Sequence, residues 1–571
     1  MRVCYNSLGT RSYLEAIMIK TKIVSSLEKA FPDQKIDDFK ALEHISVLRG
    51  ERLSVQLLYV YDGTDSPAIW EPRRLPIIPT GELAEHTDVR RVFCVPVTKT
   101  VHTLGTDDNY LRTEMGLYPD ILKPLYYENK ISFAANTLSS AWIEINIPED
   151  FAAGEYRLSF SFSDGDYGSS ECAVKIEVID AVLPKEDIYF TQWFHADCLA
   201  NYYNVEVWSD RHFEIVENFV RTARRNGINT LLTPVFTPPL DTAVGGERRT
   251  TQLVGVTKSD DGYTFDFSLL DRWIDMCNRC GIDYIEISHL FTQWGAAHAP
   301  KIMATVNGEY KKLFGWHTDA LGEEYATFVR AFLTALLSHL KKRGDDGRCL
   351  FHISDEPGLI HLENYKRAKA IVSDILDGYT IMDALSKYDF YKTGVLDHPI
   401  PANNHIQPFL DGGVKDLWTY YCVSQPLQVS NRYHTMPAWR NRSIGMQIYK
   451  YNVVGFLHWG YNFYNNQYSG DPINPYYEQS ADFAFPGGDA FSVYPETDGT
   501  ALESPRLAVF YDALQDMRAM ELCESLYSKE EVVAAIEETL GYSLTFDRSA
   551  KTADEMLAVR EKINAMIKAR V

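Results

Sequence analysis

Two acids, Asp355 and Glu356, stand side by side in the stretch CLFHISDEPG, residues 349–358. Phe351 to Ser354 read as the end of a β-strand, and Pro357-Gly358 stops further pairing. Such a pair fits a solvated acidic turn, a metal site, or an acid couple acting on one substrate. Neighbouring side chains in a regular strand point to opposite faces. Both carboxyls therefore reach one substrate only where the strand ends or bulges between them, and Pro357-Gly358 supplies that break. No HxH or HExxH ligand spacing occurs, even with His195 and His289 at other strand ends, so no metal or other cofactor is expected.

The elements that must position the pair are legible in residues 183–527. Strand-like IYFTQWFH is followed by the amphipathic RHFEIVENFVRTARRNGI, and NTLLTPVF by SLLDRWIDMCNRCGI. The pattern repeats with DYIEISHLF and EEYATFVRAFLTALLSHLKKRG, then with CLFHIS and LENYKRAKAIVSDIL. Weaker strands lie near GYTIMDAL, GVLDHPI and DLWTYYCV, and the eighth is VVGFLHWGY, closed by the helix SPRLAVFYDALQDMRAMELCESL. Eight strands alternating with helices predict an α/β fold, a (β/α)8 TIM-like barrel. An open doubly wound sheet is the alternative, but no Gly-rich phosphate loop follows the first strand. Active sites of such barrels lie at the C-terminal ends of the strands, which is where the fourth strand delivers Asp355-Glu356.

Residues 1–182 read differently. RLSVQLLYVYDG, RVFCVPVTKTV, AWIEINIPEDF, GEYRLSFSFSDG and ECAVKIEVIDAVL alternate apolar and polar residues between Gly, Asp and Pro turns. That pattern predicts an N-terminal β-sandwich domain. AVLPKED, 181–187, is the linker, and 528–571 is a C-terminal helical extension.

Composition narrows the function classes. A net charge of −22 over 571 residues, with no basic run, argues against nucleic acid or an anionic membrane as partner. No stretch of about 18 apolar residues occurs, so no membrane span is expected. The opening MRVCYNSLGTRSYLEAIMIK lacks an apolar leader run, and the nine cysteines are scattered, which together point to a cytoplasmic location. Cys277 and Cys280 form a lone CxxC within a predicted helix, too little for a metal or redox site. Oligomeric state is not legible.

A Glu before Pro at the end of the fourth strand is similar to the general acid of a large clan of barrel glycosidases. Retaining members need a second carboxylate about 5 Å away as nucleophile, and in that clan the seventh strand supplies it. Here no glutamate occurs between Glu363 and Glu478. Asp416 starts the seventh strand, at the wrong end of the barrel, and Asp397 belongs to the sixth. A substrate bearing a 2-acetamido group needs no such partner, because its own carbonyl oxygen attacks the anomeric carbon. One acid then protonates the leaving oxygen and later activates water, while the other holds the acetamido N–H and the developing positive charge. Repulsion between neighbours raises one pKa, which would keep Glu356 protonated and Asp355 ionised.

HISDEPG (352–358), EISHLFTQWGA (286–296), DLWTYYC (416–422) and GFLHWGYNFY (455–464) resemble glycoside hydrolase family 123. SLEKAFPD (26–33), GLYPDILKPL (116–125) and IPEDFAAGEYRLSF (147–160) are similar to its β-sandwich domain. The resemblance implies a retaining, exo-acting β-N-acetylgalactosaminidase with Asp355 and Glu356 as the catalytic pair, acting on a glycan or glycoconjugate. A β-N-acetylglucosaminidase of the same mechanism and a non-catalytic carbohydrate-binding protein are the alternatives. For the acetamido carbonyl, Tyr420 is the expected donor, with Tyr421 next. Trp459 and Tyr461 are expected to floor the sugar ring and Asn462 to bind hydroxyls. Trp193, His195, His289 and Trp294 complete the expected substrate-binding set, since all fall at or just after predicted strand ends.

Overall fold

The structure, a computed structural model, describes residues 18–62, 73–125, 130–133, 136–164 and 168–571. The segment on which the leader expectation mainly rests, 1–17, lies outside the described residues.

Eight short parallel strands form the central sheet: β1 Tyr189–Gln192, β2 Thr230–Thr233, β3 Tyr284–Ile287, β4 Cys349–Phe351, β5 Thr380–Ala384, β6 His398–Ile400, β7 Trp418–Tyr420 and β8 Gly455–His458. Their order is β6-β5-β4-β3-β2-β1-β8-β7. The remaining gap is bridged where the Tyr420 amide donates to Pro401 O at 3.2 Å and the Asn403 amide to Tyr420 O at 2.8 Å. The sheet is therefore a nearly closed, barrel-like ring, as strand–helix alternation predicts.

Strand alternation sorts the side chains. Trp193, Leu232, Leu350, Met382, Trp418, Tyr420, Cys422 and Leu457 form the core inside the ring. Tyr421 and Phe456 point outward, into a larger core shared with the surrounding helices. Helices Asp210–Arg225, Ser268–Cys280, Glu323–Arg343, Leu362–Val372, Ala438–Tyr451 and Pro505–Leu526 supply that outer layer. Helices Lys529–Leu540 and Ala553–Lys568 contribute to the same core.

Two hairpins were not foreseen. Gly255–Asp266 and Ile302–Phe314 join into a four-stranded sheet carried by the loops after β2 and β3. The second turns at Asn307-Gly308, both left-handed, which is the Asn-Gly signature of a tight hairpin turn. Strand β4 also ends earlier than expected. The amides of Ile353 and Ser354 leave the ladder for the Asp383 carboxylate, at 3.1 and 3.3 Å.

The N-terminal region is sheet-rich, with a five-stranded and a four-stranded sheet sharing one core around Val55, Leu57, Ile143, Phe160 and Ile176. A buried ion network ties this region to the barrel. Arg90 donates to Glu144 at 2.7 Å and to Glu503, while Arg225, on a barrel helix, reaches both carboxylates. Burial alone would raise the Glu503 pKa, but Arg90, Arg225 and Arg52 pull it well below the usual carboxylate range. Arg90 and Arg225 share both carboxylates, so removing one leaves each guanidinium with half its partners, and Arg225 is partly exposed. Glu144→Gln is expected to cost about 1–3 kcal/mol, read as a lower urea midpoint. Glu85→Gln, at an exposed side chain, serves as the control and should move stability by less than about 0.5 kcal/mol. Equal midpoints for the two variants would remove the network from the account of domain docking.

Candidate active site

Beyond Ser354 the chain turns sharply, and Glu356 takes a left-handed backbone, φ 44°. A non-glycine residue held there costs about 1–3 kcal/mol unless its surroundings fix it. Three contacts do so. The Trp294 amide donates to Asp355 O at 2.9 Å, Ser354 Oγ to Thr292 O at 2.8 Å, and the Gly358 amide to His361 Nδ1 at 3.1 Å. The turn removes the alternation that would have separated the two acids, and both carboxyls line one cleft.

That cleft has a volume of about 200 Å³ and is walled by Trp193, Asp241, Gln293, Trp294, Tyr420, Trp459, Tyr468 and Phe485. Sites for drug-sized ligands run to about 300–1,000 Å³, so this one suits a single small ring. Tyr420 Oη donates to Glu356 Oε1 at 2.5 Å and lies 3.4 Å from Ser386 Oγ. Burial first, then the Glu356 charge, hold the Tyr420 phenol well above its ordinary value, so it remains a donor. Trp459 is held by its indole N–H, which donates to Asp489 Oδ2 at 2.9 Å. Trp193 is held the same way on Glu286 Oε1, at 2.7 Å.

The electrostatics of the pair are set mainly by burial. Burial, then the charges of Glu356 and Asp383, push Asp355 well above the usual carboxylate range, with His352 opposing. On Asp355, desolvation outweighs the nearby imidazole and disfavours the ionised form.

Asp241 is a third carboxyl in the cleft, and the sequence reading passed over it. It too is left-handed, φ 41°, in the loop after β2. Its Oδ2 accepts from the Tyr468 amide at 3.1 Å, and its own amide donates to Gln293 Oε1 at 2.9 Å. Burial pushes it up to about 6, against the Tyr468 amide and Arg248.

Of the expected substrate-binding residues, Tyr420, Trp459, Trp193 and Trp294 line the cleft with the acid pair. The others do not. Tyr421 faces outward on β7 and donates to Asn441 Oδ1 at 2.7 Å. Tyr461 lies behind the barrel wall, donating to Phe219 O at 2.9 Å. Asn462 is fully buried and clamps the His195 backbone through both its side-chain atoms. His195 itself is enclosed, with Nε2 2.9 Å from Trp459 O and Nδ1 3.0 Å from Arg248 Nη2. These four, like His289, stand outside the cleft lining: a strand end places a residue near the mouth, but side-chain parity and the following turn decide where it points.

His289 is buried against His352, the rings stacked at 4.3 Å, and neither of its nitrogens has a hydrogen-bond partner among the described residues. His289, His352 and Asp383 lie close enough together to be tested as a cation site. The donor set does not fit. His352 Nε2 is 2.8 Å from Glu286 Oε1 and Nδ1 3.1 Å from Asp383 Oδ1, while Tyr365 Oη donates to Asp383 Oδ2 at 2.5 Å. Only His289 keeps a free lone pair, which is the arrangement of an imidazolium between two carboxylates.

Comparison with known proteins follows the same lines. The sequence profile described as the glycoside hydrolase 123 catalytic domain matches residues 193–523, more than half of the chain. No curated protein sequence matches significantly. Among solved structures, a family 123 glycoside hydrolase from Clostridium perfringens, studied for glycolipid glycan hydrolysis, is 15% identical. It superimposes with a TM-score of 0.72 over 97% of each chain. A family 39 glycoside hydrolase from Bacteroides cellulosilyticus WH2 is 11% identical over 77% of this chain and 80% of its own, with a TM-score of 0.33. With Asp355 and Glu356 at the mouth of the barrel-like sheet and the catalytic-domain profile running across it, this chain belongs to glycoside hydrolase family 123.

Proposed function

We propose that the chain is a retaining, exo-acting β-N-acetylgalactosaminidase that works by substrate assistance. The observation that carries this reading is the left-handed turn at Glu356, which brings two adjacent carboxyls into one small cleft. Adjacent carboxyls in one cleft suit a division of labour in which one works on the leaving group and the other on the acetamide. They suit a substrate whose 2-acetamido oxygen closes onto the anomeric carbon. The N-terminal pair of sheets is read as the sandwich that supports such a barrel.

The steps follow from the residues. Glu356 donates its proton to the glycosidic oxygen as the C1–O bond breaks, and the acetamido oxygen bonds to C1, giving an oxazolinium ion. Asp355 accepts the acetamido N–H and balances the positive charge. Glu356, now a carboxylate, takes a proton from water as that water opens the ring at C1. The pair carries one proton through the cycle. The N–H of the substrate favours ionised Asp355 and so moves that proton to Glu356. Tyr420 supplies a hydroxyl within reach of both the acid and the acetamido group, and Trp459 and Trp193 give flat apolar walls.

A second reading rests on Asp241, whose carboxyl shares the cleft and could be imagined as a nucleophile. In the proposed scheme Asp241 instead accepts a sugar hydroxyl. Its substitution then raises KM about 10-fold or more while leaving kcat within about 10-fold, as loss of ground-state binding does.

Four measurements check the proposal. Nitrophenol release is expected from the aryl β-GalNAc glycoside, faster than from β-GlcNAc, and not from the corresponding galactoside. Activity on the galactoside alone would end the substrate-assisted reading. Glu356→Gln should lower turnover about 100-fold or more for alkyl leaving groups but much less for dinitrophenyl, because acid help matters most for poor leaving groups. Asp355→Asn should lower turnover with every leaving group. For Asp241→Asn, loss of kcat by about 10,000-fold with KM unchanged would instead favour a two-carboxylate mechanism.

A further inference from the structure

Below the acid pair, three side chains from neighbouring strands form a chain of ion pairs with no exposed surface. Glu286 of β3 meets His352 Nε2 at 2.8 Å, and His352, just past β4, meets Asp383 of β5 through Nδ1 at 3.1 Å. Both carboxylates are further saturated. Glu286 accepts from Thr191 Oγ1 at 2.6 Å and Trp193 Nε1 at 2.7 Å. Asp383 accepts from Tyr365 Oη and from the amides of Ile353 and Ser354, the two residues immediately before Asp355.

We propose that His352 is a positioning residue of the reaction: locked as an imidazolium between Glu286 and Asp383, it fixes the turn that carries Asp355 and Glu356 and keeps Asp355 able to ionise against its own burial. This rests on the reading of Asp355 as the acetamido partner. The contacts carry the argument. One end of the chain grips the cleft wall at Trp193, and the other grips the backbone of the acid turn, so the imidazolium couples the two sides of the site.

The charges agree with the geometry. Burial would lower the His352 pKa, but its hydrogen bonds to Asp383 and Glu286, and their charges, raise it to about 10. Burial lifts Asp383 above its ordinary value as well, with His352 and Tyr365 opposing. We take the ion-paired form, because four donors converge on the Asp383 oxygens. The remaining titratable neighbours are His289, stacked on His352 and held far below its ordinary pKa by burial and by that cation, and Glu356, facing Asp355. On Asp355 itself, His352 is the lowering influence, set against Glu356 and Asp383. Removing the cation must therefore raise the pH at which Asp355 ionises. Because the folded pKa of His352 lies above its ordinary value of 6.5, the stability it contributes is complete below that value. It is lost as pH rises towards 10.

The test is made on the full chain in two arms. Histidine-selective ¹⁵N labelling should show one imidazolium that persists at about pH 8.5 and disappears in His352→Gln. In the second arm, the acid limb of kcat/KM for the aryl 2-acetamido glycoside should move up by about one pH unit in His352→Gln. An equal loss of activity at every pH, with the limb unmoved, would reduce His352 to packing and overturn the proposal. So would activity removed by a chelator and restored by zinc, which would make the cluster a metal site. If His352→Gln does not fold, Glu286→Gln retains an acceptor for Trp193 and should lower the imidazolium titration by about one pH unit or more. An unchanged titration there overturns the proposal equally. The labelling arm needs no substrate, so it stands or falls apart from the hydrolytic reading, which wild-type turnover tests by itself.

Discussion

The Asp383 carboxylate, taking the amides of Ile353 and Ser354 away from the sheet, is the contact on which the rest of the site depends. By ending β4 early, it frees the chain to turn before the two acids rather than between ordinary strand positions. A full strand to Ser354 would have sent Asp355 and Glu356 to opposite faces. The cost is a left-handed glutamate and three buried ionisable groups. Both are stabilised by saturation: every oxygen of Glu286 and Asp383 has a donor, and both His352 nitrogens have acceptors. Removing one partner from such a group is far more damaging than never having built it.

The same logic extends outward. The indoles of Trp193 and Trp459, which wall the cleft, each end on a buried carboxylate, Glu286 and Asp489. Their ring planes are thus fixed by groups that never touch the cleft. Burial pushes Asp489 up to about 7, with Arg432 opposing, so even this second anchor sits close to a change of charge at neutral pH. At the far side, Arg90, Arg225, Glu144 and Glu503 join the sheet-rich N-terminal region to the barrel with the same kind of enclosed pairing.

Much of this was legible in the sequence, for identifiable reasons. The barrel-like sheet follows from strand–helix alternation, since amphipathic helices with a 3.6-residue period are the strongest local signal. The acid pair was legible because its neighbours Pro357 and Gly358 end a strand. Direction was harder. Tyr420 and Tyr421 differ by one position, and only the register of β7 against β8 puts the first inside and the second against Asn441. Tyr461 and Asn462 follow a turn whose geometry no periodicity encodes. Asp241 was missed because it lies in a loop with no periodicity, and His352 and Asp383 because single polar residues in apolar runs look like interruptions. Their roles appear only when three strands lie side by side. The inserted hairpin at Asn307-Gly308 is signalled by its turn residues alone, since it lies outside the strand–helix alternation.

The central claim is that the cleft is built for a substrate that supplies its own nucleophile. It is tested most directly by the inhibition constant of a GalNAc-thiazoline, a stable mimic of the bicyclic oxazolinium ion. The account predicts competitive inhibition at least about 100-fold tighter than by free N-acetylgalactosamine, as complementarity to a transition-state-like species requires. Thiazoline binding no tighter than the free sugar, in an enzyme that still cleaves the 2-acetamido glycoside, would contradict it.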